Sequence, residues 1–385
     1  MIPKADRLHN VTEYYFSKKL REVAALRKQG KPIINMAIGS PDLPPPAAVV
    51  EALEHTARQK GAHQYQSYQG IPPLRSAMAA FYHQHYGLKL CPDSEVLPLM
   101  GSKEGIMHIS MAFVNPGDSV LIPNPGYPTY ASVTKLVGAK ALCYELRASN
   151  NWLPDLEALE KQDLSKVRLM WLNYPHMPTG AAASEEDFKA LINFARRHKI
   201  LLVNDNPYSF VLQDHPESIL SVPGADGVAI ELNSLSKTFN MAGWRVGMVA
   251  GNAQIIQAIL QVKSNMDSGM FLGIQHGAIA ALESPKSWFK ELNATYARRR
   301  ALVWKIMDRL QCTYAKNRGG LFVWGRLPEG KKAIPFSDAL LYEKSVFITP
   351  GSIFGTMGES YIRASLCISE ADLSEVENRL QTRNI

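Results

Sequence analysis

Between about residues 95 and 250, short apolar runs alternate with longer segments whose apolar residues recur every three or four positions. That alternation predicts an α/β fold, a mostly parallel sheet covered by helices on both faces. The runs that read as strands are Val96 to Met100, Ser119 to Ile122, Lys140 to Glu145, Arg168 to Leu172, Ile200 to Val203, Val228 to Leu232 and Val246 to Ala250. Ser184 followed by Asp187 spells a capping box, and Phe188, Leu191, Ile192 and Ala195 then recur at helical spacing, so a helix should begin near Glu185. The last hundred residues change character. A basic amphipathic helix near Ala297 to Leu310 precedes short strands around Gly320 to Trp324 and Ser345 to Ile348, and a last helix opens at Ser369 with Asp372 completing a second capping box. The expected division is an N-terminal arm joined to part of a small domain over 1–44, a large domain over 45–285 and a smaller α+β domain over 286–385, with the proline-rich 41–46 segment as a junction.

Composition narrows the function. No apolar run approaches the roughly eighteen residues of a membrane span, and Lys4, Asp6, Arg7 and Glu13 make the N-terminus too charged for a signal peptide. Cys91, Cys143, Cys312 and Cys367 lie far apart without a Cys-x-x-Cys pair, which indicates neither a metal site nor a disulfide framework and fits a reducing cytoplasm. The net charge of +7 is spread along the chain, and the Arg298 to Arg300 run, with no interleaved aromatic residues, reads as a solvated helix face and not as a nucleic-acid arm. A basic balance suits anionic small molecules. Two weak motifs drop out. Gly325 to Lys331 nearly spells a phosphate loop, but Lys332 stands where Ser or Thr is required. His83 and His85, one residue apart on a helix, face different ways and read as surface residues.

In open α/β sheets ligands sit beyond the carboxyl ends of the strands, so the informative residues follow each apolar run. Gly101-Ser102-Lys103 feeds a helix N-terminus, which offers free backbone N–H groups to a phosphate. Tyr127 follows the next run in a proline-bounded turn, where its ring could stack on a flat ligand or merely pack. Asp205, in the 204–208 segment NDNPY, puts a carboxylate at a strand end, where alone it reads equally as a cap. Lys237 stands at the mouth of an apolar strand with Arg245 eight residues on, a setting that can lower an amine's pKa, although a single lysine more commonly snorkels to solvent.

Together these residues are specific. The segment 234–247, SLSKTFNMAGWRVG, resembles the cofactor-lysine signature of fold type I pyridoxal-phosphate (PLP) enzymes, the class I/II aminotransferases, and the resemblance runs from about Ile34 to Leu380. The segments 101–106 (GSKEGI), 115–118 (NPGD), 125–130 (PGYPTY) and 263–269 (KSNMDSG) are similar to the branch that contains LL-diaminopimelate aminotransferases. The resemblance implies a PLP-dependent transfer of an amino group between an L-amino acid and a 2-oxo acid. Lys237 would be the covalent anchor and proton carrier, Asp205 the partner of the pyridine nitrogen, Tyr208 a donor to the ring 3′-oxygen and Tyr127 a stacking ring. Ser102, Lys103, Ser234 and Arg245 would hold the phosphate, together with Tyr65 of a neighbouring subunit, which implies a homodimer with shared sites. Arg363 would clamp the substrate carboxylate, with Gly39 and Asn173 beside it. PLP lyases of the C–S β-lyase type and a PLP-binding protein with impaired catalysis are the alternatives on the same fold.

One departure stands out. Where the family shows Asn-Pro-Thr-Gly, residues 173–180 read NYPHMPTG, so Met177 occupies the Asn position. A thioether donates no hydrogen bond, so the 3′-oxygen would depend chiefly on Tyr208. His176 is adjacent, but consecutive extended side chains point apart.

Overall fold

The alternating runs become one seven-stranded sheet in the computed structural model, which describes residues 2–9, 11, 13 and 15–381. Across the sheet the strands run Val96–Leu99, Gly247–Gly251, Ala229–Ser234, Leu201–Asp205, Val167–Leu172, Ser119–Asn124, Lys140–Glu145. The last five in that order are mutually parallel. Gly247–Gly251 is antiparallel to both of its neighbours. The reason is the connection before it, which holds only the single helical turn Leu235–Thr238 and therefore doubles back alongside its own strand instead of crossing the sheet. Strand interiors are sorted by the two-residue period: Leu169 and Trp171 join one core, Met170 and Leu172 the other. Both faces are thus covered, as a parallel sheet requires.

The residues after 310 form a four-stranded antiparallel sheet, ordered Thr349–Pro350, Tyr361–Ser365, Phe322–Arg326, Thr313–Tyr314. Ile34–Asn35 pairs in parallel with Val346–Phe347, so the chain's first strand joins this late-sequence unit. The basic helix is longer than its basic segment suggested, running Lys286–Arg309 from Pro285, because Trp288, Phe289 and Leu292 extend the apolar stripe of Tyr296 and Val303 back by two turns. Nor is its arginine run uniformly solvated. Arg298 pairs with Glu370 at 3.0 Å, whereas Arg299 is buried and grips Asp42 with both terminal nitrogens at 2.7 and 2.9 Å. His83 is exposed, but His85 is half-buried among Phe81, Phe210 and Phe289. Among the described residues no helix is long and apolar enough to cross a membrane.

The helix Glu185–His198 begins where its capping box predicts. Ser184 Oγ accepts from the Asp187 N–H at 3.2 Å, and the Asp187 carboxylate accepts from the Ser184 N–H at 2.8 Å. Phe188, Leu191, Ile192 and Ala195 then bury one face of the helix. Ser184→Ala should lower stability by about 1 kcal/mol, read as a shift in the urea midpoint with the slope unchanged. An unmoved midpoint would show that the buried face alone fixes the helix start.

Candidate functional site

A cavity of about 540 Å³ opens at the carboxyl ends of the parallel strands. Ser102, Lys103, Tyr127, Asn173, Asp205, Tyr208, Ser234, Lys237, Arg245, Gly39 and Arg363 all line it, although they come from segments spread over most of the chain. Tyr65 does not: it is 92% exposed, on the surface.

Asp205 ends the strand Leu201–Asp205 and is buried. Its Oδ2 accepts a 2.8 Å hydrogen bond from the Tyr130 hydroxyl, but its Oδ1 has no partner among the described residues. Burial pushes the carboxyl up to about 6, against the pull of the Tyr130 bond. A half-satisfied buried carboxylate is costly unless a cation or donor completes it. Tyr130, not singled out from the sequence, is therefore part of the site. It lies three residues after Tyr127 at the start of the helix Pro128–Leu136 and stacks on Trp171 at 4.9 Å. The second tyrosine in the same proline-bounded turn, three residues after Tyr127 at the helix cap, was the signal that could have revealed it.

Lys237 lies in the turn that follows the next strand, Ala229–Ser234, and its Nζ donates to the Gly39 carbonyl at 2.6 Å. Burial lowers its pKa, and the charges of Arg363 and Arg245 add to the effect while Cys367 opposes it. Such an amine reaches its neutral, nucleophilic form more readily than a solvated lysine does.

Facing the end of these strands is a cradle with no room for side chains. A Cβ on Gly101, which has φ +85°, would lie 2.1 Å from Arg245 Nη2, and one on Gly247 would lie 2.9 Å from Ser102 N. The helix Ser102–Phe113 starts there, its first two residues lining the cavity, and first-turn N–H groups of a helix have no partner within it. Arg245 itself sits at φ +58°, an unfavourable conformation for a side-chain-bearing residue, and donates to the Ala242 carbonyl at 3.1 Å. Behind the cradle Glu104, His108 and Asp267 converge, but the Lys263 ammonium already pairs with both acids and supplies the cluster's cation.

Arg363, from the four-stranded sheet, closes the opposite side. Its Nη2 donates to the Ala37 carbonyl at 2.9 Å, and its guanidinium carbon lies 3.9 Å from the Phe322 ring centre and 4.7 Å from that of Phe354. Met177 faces this arginine: Arg363 Nη1 donates to its sulfur at 3.3 Å. His176 does not line the cavity. Its Nδ1 meets the Thr179 hydroxyl at 2.8 Å, and burial lowers its pKa to about 3. Asn173 lines the wall with both ends of its amide engaged by backbone, Nδ2 donating to the Asp205 carbonyl and Oδ1 accepting from the Met177 N–H.

Comparison with known proteins identifies the family. The profile of the family Aminotransferase class I and II matches residues 31–380. An LL-diaminopimelate aminotransferase of Dehalococcoides mccartyi is 41% identical over 371 residues, covering 96% of each chain, and one of Desulforudis audaxviator is 41% identical over 380 residues, covering 98% of this chain and 97% of its own. Among solved structures, substrate-bound BacF from Bacillus subtilis superposes with a TM-score of 0.94 at 35% identity, covering 99% of this chain and 98% of its own. An aminotransferase from Staphylococcus aureus gives 0.89 at 31% identity, covering 98% of each chain.

The Tyr130 bond holds the Asp205 carboxyl below where burial alone would put it. Tyr130→Phe should therefore raise its midpoint above about 6 by roughly one unit, followed in the cofactor-free protein by carboxyl-carbon NMR of labelled aspartate. An unchanged midpoint would mean that the bond is not made in solution.

Proposed function

The chain belongs to the class I and II aminotransferase family, and on that premise we propose how this PLP-dependent enzyme holds its cofactor and which substrates it takes. The observation that carries the reading is a half-buried, depressed-pKa amine, Lys237, and a buried carboxyl with one unmatched oxygen, Asp205, facing one cavity. Asp205 Oδ1 suits a protonated pyridine nitrogen, and the Gly101–Ser102 cradle, too tight for a Cβ, suits a phosphate. When bound, PLP supplies an electrophilic carbon for the substrate amine and a ring that takes up the electron pair left when the α-proton departs.

The remaining work falls to side chains of this protein. Lys237 Nζ would anchor the cofactor and, once released by the incoming amine, carry the proton away from the substrate α-carbon and return it. Asp205, ionised beside a cation, would keep that ring nitrogen protonated. Ser102 and Lys103 N–H groups, the Ser234 hydroxyl and the Arg245 guanidinium would hold the phosphate, with Tyr127 against the ring and the Tyr208 hydroxyl at the 3′-oxygen. Arg363 would take the substrate carboxylate in its fork beside Gly39. Asn173, which ties Asp205 to Met177 through their backbones, would act as a positioning residue. The exposure of Tyr65 supports a homodimer in which it completes a neighbour's phosphate site, and the four unpaired cysteines support a reducing, cytoplasmic setting.

For the substrate side chain, Phe16, Leu20, Ile38, Met177 and Phe354 give the cavity an apolar wall, and among the described residues Asp205 is the only carboxylate in its lining. This supports an L-amino acid with an apolar side chain. The second reading is the substrate named for the relatives, LL-diaminopimelate, whose distal ammonium would find no counter-charge in that wall.

Two outcomes are expected. Lys237→Ala should abolish amino transfer and leave PLP dialysable, and borohydride treatment of the loaded protein followed by peptide mapping should label Lys237; label on Lys103 would overturn the assignment. In a screen against a fixed 2-oxo acid, leucine or phenylalanine should exceed LL-diaminopimelate in kcat/KM by about tenfold or more, the scale on which apolar contacts discriminate. The reverse order would assign the relatives' substrate to this enzyme.

A further inference from the structure

A second cavity, of about 340 Å³, lies between the four-stranded sheet, the Lys286–Arg309 helix and the loop that carries Ala148 and Trp152. Its lining shares only Phe322 with the first cavity. Three guanidinium groups line it, Arg300 from the helix, Arg318 from the following loop and Arg326 from the strand Phe322–Arg326. Of the three consecutive arginines on the helix, Arg298 pairs with Glu370 and Arg299 with Asp42, whereas Arg300 donates to the Arg318 carbonyl at 2.9 Å and lies over the face of Trp304 at 5.0 Å. Among the described residues none of the three lining arginines is in a salt bridge, and the Nε atoms of Arg300 and Arg318 are buried without a hydrogen-bond partner. Burial lowers the pKa of both, and Asp214 offsets this only for Arg300. Arg300 and Arg318 are half-buried and Arg326 is exposed, so each guanidinium keeps an edge open to the cavity, and buried Nε–H groups without a partner are what an anion's oxygens satisfy.

The other walls are aromatic. Trp324 and Tyr361 stack in parallel, 5.0 Å between ring centres and 6° between planes, and Trp152 meets Tyr361 edge-on at 5.4 Å. Trp304 stands on the far side with Arg300 over it. A flat apolar body would find ring faces to lie against, and its charged end would find guanidinium forks, the two features that bind planar organic anions. The volume lies within the range of small-molecule sites. We propose that this cavity is a second ligand site, separate from the aminotransferase centre, that binds an aromatic carboxylate through Arg300, Arg318 and Arg326 against the Trp304 and Trp324 rings.

The test uses 1-naphthoate as probe and equilibrium dialysis against the PLP-loaded enzyme. Because Arg363 could also take a carboxylate, the background is Arg363→Ala, which removes the guanidinium of the first cavity and keeps all three arginines of the second. One equivalent per chain should bind. Neither the uncharged 1-naphthamide nor acetate should compete, since one lacks the charge and the other the ring. Adding Arg318→Ala should weaken binding about tenfold or more, the scale of a lost charge-assisted hydrogen bond. Arg326→Ala, at an exposed position where the fold tolerates truncation, should weaken it in the same direction. Absence of binding at millimolar probe would overturn the proposal, and so would equal binding by the naphthamide or affinity unmoved by both arginine substitutions.

Discussion

A buried carboxyl satisfied on one side only is the constraint around which this site is built. Asp205 could be satisfied by full hydrogen bonding or removed to solvent, yet among the described residues the fold gives its carboxyl a single donor, Tyr130, and leaves the other oxygen without a partner at the cavity wall. Holding it there demands rigid support. Tyr130 is fixed by its stack on Trp171, and the Asp205 backbone by Asn173 from the adjacent strand end. The same strand edge then brings Lys237 and the glycine cradle into the cavity, because parallel strands present all their carboxyl ends on one side. The chemistry is therefore a property of the sheet's polarity before it is a property of any one residue.

The parts of the site that come from this edge were legible in the sequence, since each follows an apolar run directly. Ser102, Tyr127, Asp205 and Lys237 needed only the strand pattern to be placed, and the capping box at Ser184 fixed the start of a helix. The parts that come from elsewhere were not. Gly247–Gly251 reads as one more buried strand whichever way it runs, and only the short connection before it makes it antiparallel. Phe322 and Phe354, which flank Arg363, belong to strands and turns whose local pattern carries no sign of a distant cavity. The pairing of Arg299 with Asp42 was hidden inside a run of like charges, where neighbours in sequence have opposite fates: one on the surface, one buried, one against a second cavity.

Met177 shows how a departure from a family pattern can be read only with its partner in view. In sequence it looks like the loss of a hydrogen-bond donor. In the fold its sulfur is an acceptor for Arg363, so the thioether helps hold the guanidinium beneath Phe322 and Phe354. An Asn here would offer a harder oxygen to the arginine and a polar face to the cavity. The methionine makes the wall next to Arg363 apolar and deformable, in keeping with its unbranched chain and polarisable sulfur.

Arg363 donates to the carbonyl of Ala37, a residue 326 positions earlier, and Ile34–Asn35 lies against Val346–Phe347. On a ribosome, where N-terminal parts emerge and fold first, that early strand has no partner while the seven-stranded sheet is being completed. The cavity wall that carries Arg363 is therefore the last to be made. Completion of the cavity is thus timed by the synthesis of the chain's late segment, because Phe322, Phe354 and Arg363 all come from it.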